Sequence, residues 1–160
     1  NLYGPNDNFS ENNSHVIPGL IKRMHMAKNE GRKEFEIWGT GKPLREFLYV
    51  DDLADACFHV LSFWDPDKTI SPLDKDGNPI NWLNVGSDYE ISIKELAFKI
   101  SKIIGFEGEI EWDTEKPDGT PRKKLNTTFI NKLGWTPKTT LDMGIKRSIS
   151  FFKKEFLQEK

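Results

Sequence analysis

The residues with the most chemical potential stand together in Trp38-Gly39-Thr40-Gly41-Lys42-Pro43-Leu44-Arg45-Glu46-Phe47-Leu48-Tyr49-Val50-Asp51-Asp52. Glycines on both sides of Thr40 let a backbone approach a ligand closely. Arg45 presents a planar fork that matches phosphate oxygens in a way lysine does not. Trp38 supplies an aromatic face beside it. The Gly-x-Gly is not a dinucleotide fingerprint, because no third glycine follows at the required spacing and no helix opens there. The same spacing also fits a plain β-hairpin with a surface arginine and a core tryptophan.

His15 follows Ser14, a residue type that starts helices. A histidine there sits in the positive field of unpaired amides, which favours the neutral ring, ready to give or take a proton. The plain alternative is a histidine that hydrogen-bonds to a loop. Arg23 lies two turns further along the same side of the predicted helix. With Arg45 and Arg122 it can form a cationic pocket for a diphosphate; alone, Lys22-Arg23 reads as a solvated basic face. Lys116-Pro117-Asp118-Gly119-Thr120-Pro121-Arg122 is stiffened by two prolines and holds a carboxylate suited to hydroxyl groups of a sugar or base, or is an ordinary exposed turn. Cys57 falls on an apolar helix face and reads as a core cysteine, not a nucleophile. His25 and His59 have no companions at metal-ligand spacing, so no metal site is expected. No Gly-x-Ser-x-Gly and no Walker loop is present.

Helices and strands must position these groups. Ser14 is the expected cap of a helix carrying Val16, Ile17, Leu20, Ile21 and Met24, stopped at Gly31. Phe35 to Trp38 alternates apolar and charged residues as a half-buried strand does. Phe47 to Val50 is strand-prone. Asp51 is the expected cap of a helix through Leu53, Ala56, Cys57, Val60, Leu61 and Trp64. Residues 65–80 read as a loop, and Trp82 to Val85 as a strand. Ser92-Ile93-Lys94-Glu95 is a capping box opening a helix that ends at Gly105. Ile110 to Trp112 is a further strand, residues 115–124 an irregular loop, and Thr127 to Leu133 a short helix ended by Gly134. Leu141, Ile145, Ile149, Phe152 and Phe156 mark the last helix.

The 160 residues favour one domain, spanning 1–160. With 30% charged residues much of the surface is polar, while five Trp, eleven Phe and three Tyr argue against disorder. A net charge of −2 gives no global field for nucleic acid or membrane, so neither is an expected partner. The single cysteine excludes an internal disulfide and fits a reducing compartment. No apolar run is long enough to span a membrane, and the start of the chain lacks the features of a signal peptide. A cytoplasmic location is therefore expected. Alternating helices and strands place the chain in the α/β or α+β class, and a covered parallel sheet needs more strands than these. The further strands are expected to precede Asn1.

The Trp38-to-Asp52 stretch is similar to one shared by NAD(P)-dependent sugar-nucleotide epimerases and dehydratases of the extended short-chain dehydrogenase/reductase family. Asn1-Leu2-Tyr3-Gly4-Pro5-Asn6-Asp7-Asn8-Phe9, Ser14-His15-Val16-Ile17-Pro18 and Lys116-Pro117-Asp118-Gly119-Thr120-Pro121-Arg122-Lys123 narrow the resemblance to the GDP-L-fucose synthases. It covers essentially the whole chain, and the last segment is the most specific. It implies an α/β fold: the carboxy-terminal, substrate-binding part of such an enzyme with the last Rossmann elements, the amino-terminal Rossmann core lying outside the chain. The implied reaction converts GDP-4-keto-6-deoxy-D-mannose to GDP-L-fucose by epimerisation at C3 and C5, through enediol-like intermediates, and NADPH-dependent reduction at C4. The resemblance makes His15 the proton donor and places it, with Asn1 and Leu2, at the cofactor. It assigns Arg23, Trp38, Arg45 and Asp118 to the GDP-sugar, and it implies a homodimer for a full-length enzyme.

The chain also departs from that family's pattern. The Gly-x-x-Gly-x-x-Gly loop, the Tyr-x-x-x-Lys pair and the catalytic Ser and Cys are absent. Tyr3 and Tyr49 have no lysine four residues on, Tyr89 has neither such a lysine nor the right context, and Cys57 does not match the catalytic cysteine. The chain alone is therefore expected to be inactive. Two other readings stand beside this one: another NDP-sugar epimerase or dehydratase, against which the Lys116-to-Arg122 loop argues, and a non-catalytic GDP-sugar-binding module.

Overall fold

A computed structural model describes residues 1–11, 13–66 and 71–157. Three helices build the main core: α1 (Val16–Asn29), α3 (Ile93–Ile104) and α5 (Leu141–Phe156). In α1 the predicted face is buried at Ile17, Leu20, Ile21 and Met24, while Val16, at the first turn, is exposed toward the cavities. These pack with Leu96, Ile100, Ile145 and Phe152, with Phe35 from the strand that follows α1, and with Phe9 and Phe106 from connecting segments. The start of α1 differs from expectation. His15, not Ser14, is the N-cap, and no side chain caps the helix. The Ser14 hydroxyl is instead tucked against Gly19, where a Cβ would approach it to 2.6 Å.

The capping box that opens α3 is complete. Ser92 accepts from the Glu95 amide, and the Glu95 carboxylate accepts from the Ser92 amide. Gly105 closes the helix in the left-handed conformation, at φ 74°. Ser92→Ala should therefore cost about 1 kcal/mol of stability in a urea unfolding curve; an unchanged midpoint would show that packing alone holds this helix end.

Among the described residues the strands form three small sheets. β1 (Leu2–Tyr3) pairs in parallel with β4 (Leu48–Tyr49). β2 (Glu34–Trp38) pairs in parallel with β6 (Glu109–Asp113), the two ending together at Trp38 and Asp113. β3 (Leu44–Glu46) lies between β5 (Glu90–Ser92), antiparallel to it, and β7 (Arg122–Lys123), parallel to it. β2 and β3 therefore have different partners, which excludes the hairpin reading of the Trp38-to-Asp52 stretch. The loop expected over 115–124 contains β7 at its end. The strand expected at Trp82 to Val85 does not form, for want of a neighbouring backbone to pair with among the described residues, although Val85 packs in a second core. Of the loop expected over 65–80, residues 67–70 lie outside the described residues.

That second core joins Leu48, Ala56, Ile130 and Trp135, from β4, α2 (Val50–Phe63), α4 (Thr128–Lys132) and the turn after Gly134. Tyr49, not Asp51, is the N-cap of α2. Asp51 and Asp52 lie in its first turn, where carboxylates are favoured by the helix field. Asp52 is buried and accepts from the Thr139 amide at 2.9 Å and hydroxyl at 3.1 Å, which fixes the approach to α5. Cys57 is exposed, contrary to its reading as a core residue. The reason is that α2 is apolar on more than one face, so periodicity cannot choose between them. Leu53, Ala56 and Val60 face the second core, while Cys57, Phe58 and Leu61 face solvent.

Candidate functional site

Two cavities meet along the start of α1 and share His15, Val16 and Arg45. The first, about 470 Å³, is lined by Asn1, Leu2 and the Tyr3-to-Asp7 turn on one side and by Phe47 and Val50 on the other. The second, about 560 Å³, runs from His15 past Arg23 and Arg45 to Trp38 and the Pro117-Asp118-Gly119 loop. It opens beside the carboxyl ends of the parallel pair β2 and β6, the end at which α/β sheets receive ligands. All seven residues singled out for the site, Asn1, Leu2, His15, Arg23, Trp38, Arg45 and Asp118, line one or both cavities.

Each is placed by local structure. Asn1 is tied to β3 through its side-chain amide, which donates to the Glu46 carbonyl at 2.8 Å. His15 has an exposed ring, and its Nδ1 stands 3.9 Å from the Asp7 carboxylate. Its carbonyl accepts from the Gly19 amide at 2.9 Å, so the helix fixes its backbone and leaves its side chain to the cavity. Arg23 lies over the face of Phe35, 5.4 Å from the ring centroid. Arg45 stands at the centre of the three-stranded sheet and donates to its neighbour's carbonyl, that of Leu44, at 2.7 Å. Trp38 is 68% exposed, the opposite of a core tryptophan, with the Lys116 ammonium 5.7 Å from its ring centroid.

Charge distinguishes the arginines. Among the described residues neither Arg23 nor Arg45 has a carboxylate partner, so two uncompensated cations face one cavity. Arg122 does not join them. Its guanidinium forks onto both Glu90 oxygens, at 2.8 and 2.5 Å, and lines a separate, open depression. That hydrogen-bonded pairing holds the Glu90 carboxyl below its ordinary range. The reason for the departure is the register of β7 on β3, which sets Arg122 opposite Leu44, from where its side chain reaches Glu90 of β5 on the far side of β3 instead of the cavity.

Asp118 is held by the glycine loop across from it. Its two oxygens accept from the Thr40 amide at 2.8 Å and the Thr40 hydroxyl at 2.6 Å. The Thr40 side-chain bond, then the backbone bond, keep the Asp118 carboxyl below its ordinary range, with a smaller contribution from Lys42. The loop can come this close because Gly39 takes φ +84°, where a side chain would strike the Asp118 carboxylate. Sequence reasoning gave Thr40 and Asp7 no role. Thr40 was legible only as a small polar residue between two glycines, and nothing in the spacing of Asp7 and His15 announces their proximity.

The sequence profile of the NAD dependent epimerase/dehydratase family matches residues 1–70. GDP-L-fucose synthase 1 of Arabidopsis thaliana is 46% identical over 154 residues, covering 96% of this chain and 44% of that protein. GDP-L-fucose synthase of Escherichia coli K12 is 40% identical over 156 residues, covering 95% of this chain and 46% of that protein. A solved GDP-L-fucose synthetase from Naegleria fowleri, bound to NADP, superimposes with a TM-score of 0.79 at 29% identity, over 98% of this chain and 46% of that one. The chain thus spans about half the length of the curated relatives it matches. The mixed α/β architecture, the profile match over residues 1–70 and the similarity along nearly the whole chain agree in what this chain resembles: the NAD dependent epimerase/dehydratase family over its first 70 residues, and about half the length of the GDP-L-fucose synthases over nearly all of it.

Proposed function

We propose that this chain supplies the sugar-nucleotide side of an NADPH-dependent enzyme that converts GDP-4-keto-6-deoxy-D-mannose to GDP-L-fucose. The observation that carries this reading is the pair of unpartnered guanidiniums, Arg23 and Arg45, in a cavity that runs into a second one at His15. Two cationic forks match a diphosphate well, and the carboxylates that also line this cavity are engaged elsewhere, Glu11 with Lys22 and Asp118 with Thr40. In this reading Trp38 and Asp118 border the GDP-sugar, and the keto-sugar ring lies where the cavities join. His15 there returns a proton to the epimerised carbons, and Asp7 orients its ring. The enzyme is a cytoplasmic homodimer.

The first cavity suits the nicotinamide end of the cofactor, with Asn1, Leu2 and His15 beside it. NADPH, when bound, supplies the hydride for C4. The 160 residues contain no Gly-x-x-Gly-x-x-Gly turn to cradle the pyrophosphate, the main anchor of a dinucleotide. The 160-residue chain by itself should therefore bind NADPH weakly or not at all. Calorimetry showing micromolar affinity would overturn that expectation.

The direct test of the function is product identity. A full-length enzyme carrying this chain, given the keto-sugar and NADPH, should consume NADPH and release GDP-L-fucose. Release of the unepimerised C4 alcohol as the sole product, or consumption only with a different nucleotide sugar, would overturn the assignment.

A further inference from the structure

Thr40 does not line the cavity, yet it holds the residue that does. The segment after β6 leaves the sheet at Asp113 and returns over the cavity mouth as Pro117-Asp118-Gly119. Its base is fixed by the Asp113 carbonyl, which accepts from the Gly39 amide at 2.8 Å and the Lys116 amide at 3.2 Å. Among the described residues its tip is hydrogen-bonded by Thr40, through the amide and the hydroxyl. The hydroxyl oxygen also accepts from the Lys42 amide at 3.2 Å, which aims its proton at Asp118. Gly41, at φ +71°, packs the turn so tightly on Trp112 that a side chain there would collide with it at 2.7 Å. Beyond the tip, a Cβ at Gly119 would lie 3.1 Å from Arg45 Nη2, so the loop's position limits the space left to that guanidinium.

We propose that Thr40 is a positioning residue for the GDP-sugar site, a latch that acts through Asp118 to hold the 117–119 loop against Arg45. This rests on the reading of the cavity as a GDP-sugar site and adds to it the residue that sets the cavity's shape. With both Asp118 oxygens engaged by Thr40, the carboxylate's first task is to tie the loop to the glycine turn. A ligand hydroxyl meets a carboxylate already oriented. Because the Thr40 bonds depress the Asp118 carboxyl, the latch is fully formed at neutral pH and is lost only as pH falls through that lowered value.

The test uses a full-length enzyme carrying this chain, with GDP as the probe and amide hydrogen exchange as a ligand-free readout. Thr40→Val removes the hydroxyl and keeps the shape and the amide donor. It should weaken GDP binding roughly threefold to tenfold, the worth of one hydrogen bond. It should also speed exchange of the amides of residues 116, 118, 119 and 120 severalfold without ligand. Thr40→Ser should restore both to within about twofold of the parent. Asp118→Ala combined with Thr40→Val should bind GDP no worse than Asp118→Ala alone, since the two act as a unit. Additive losses would mean that Asp118 meets the ligand independently of Thr40 and would overturn the proposal. So would weakened GDP binding with unchanged exchange, which makes Thr40 a direct contact, or faster exchange with unchanged binding, which makes the bond purely structural. If the parent enzyme fails to bind GDP, the reading of the cavity falls. The exchange measurement then decides the latch by itself, and unchanged exchange in Thr40→Val would sink it.

Discussion

Arg45→Lys in a full-length enzyme carrying this chain is expected to weaken the GDP-sugar by about 2 kcal/mol, roughly thirtyfold, at the low end of what losing a charge-assisted phosphate contact costs. The charge survives this change, so a purely electrostatic role would leave affinity nearly intact. What is lost is the fork. Nη1 of Arg45 is already committed to the Leu44 carbonyl at 2.7 Å, which fixes the guanidinium plane and leaves its other donors for the cavity. A lysine ammonium cannot make that bond and a bidentate phosphate contact together. The low end applies because Arg45 is only partly buried and solvent screens part of its charge. Arg122→Lys is the matched control. That arginine spends its fork on Glu90, outside the cavity, and its replacement should leave affinity unchanged. The check is substrate affinity by calorimetry for both variants. Equal affinities for Arg45→Lys and the parent would return Arg45 to the role of a sheet-surface residue.

Much of this arrangement is legible in the sequence, and its limits follow from physics. Elements governed by local interactions are readable: the Ser92–Glu95 box, Gly105 as a helix stop, and the apolar face of α1 all depend on residues within a turn or two of each other. Strands of two or three residues are readable only where an apolar run marks them, as at Leu48–Tyr49; elsewhere their existence depends on partners far along the chain. Leu44–Glu46 is a strand only because Glu90–Ser92 and Arg122–Lys123 come to lie beside it. The exposure of Cys57 was unreadable for a related reason, since an α-helix with two apolar faces does not say which one has a neighbour.

The same division runs through the site. Residue types proclaim what chemistry is possible, so arginine, histidine, tryptophan and aspartate could be chosen as candidates. Their convergence is long-range: Asp118 and Thr40 are 78 positions apart. Arg122 shows the failure this permits. Its type and its place in the loop were right for an anion site, but one register of parallel pairing turns it to Glu90. A carboxylate within reach neutralises an arginine far more decisively than its sequence neighbours can reveal. Asp7 and His15 are the converse case: eight positions apart, they are brought near by a turn with no periodicity to read.

His15→Gln should separate the two halves of the reaction. Epimerisation needs a proton returned to the opposite face of C3 and C5, which a histidine can deliver and a glutamine cannot. Reduction at C4 needs a hydride and a proton at the carbonyl oxygen, and neither demands a group at His15. The substitution should leave the fold alone. The His15 side chain makes no capping bond, and the contact that starts α1, from the Gly19 amide to the residue 15 carbonyl, is backbone. The exposed ring fills no part of the core. In a full-length enzyme, solvent-deuterium incorporation at C3 and C5 should fall by about 10²- to 10⁴-fold, the usual contribution of a positioned acid or base. NADPH consumption should fall less, because direct reduction of the unepimerised ketone remains open, slowed to the extent that His15 also touches the nicotinamide. The product should then shift from GDP-L-fucose toward the C4 alcohol that keeps the original configuration at C3 and C5. The experiment is mass and NMR analysis of the product formed in deuterated water, beside NADPH consumption and a circular dichroism spectrum. Parental exchange rates at both carbons, with fold and cofactor binding intact, would show that His15 is an accessible helix-start residue and that the proton comes from elsewhere.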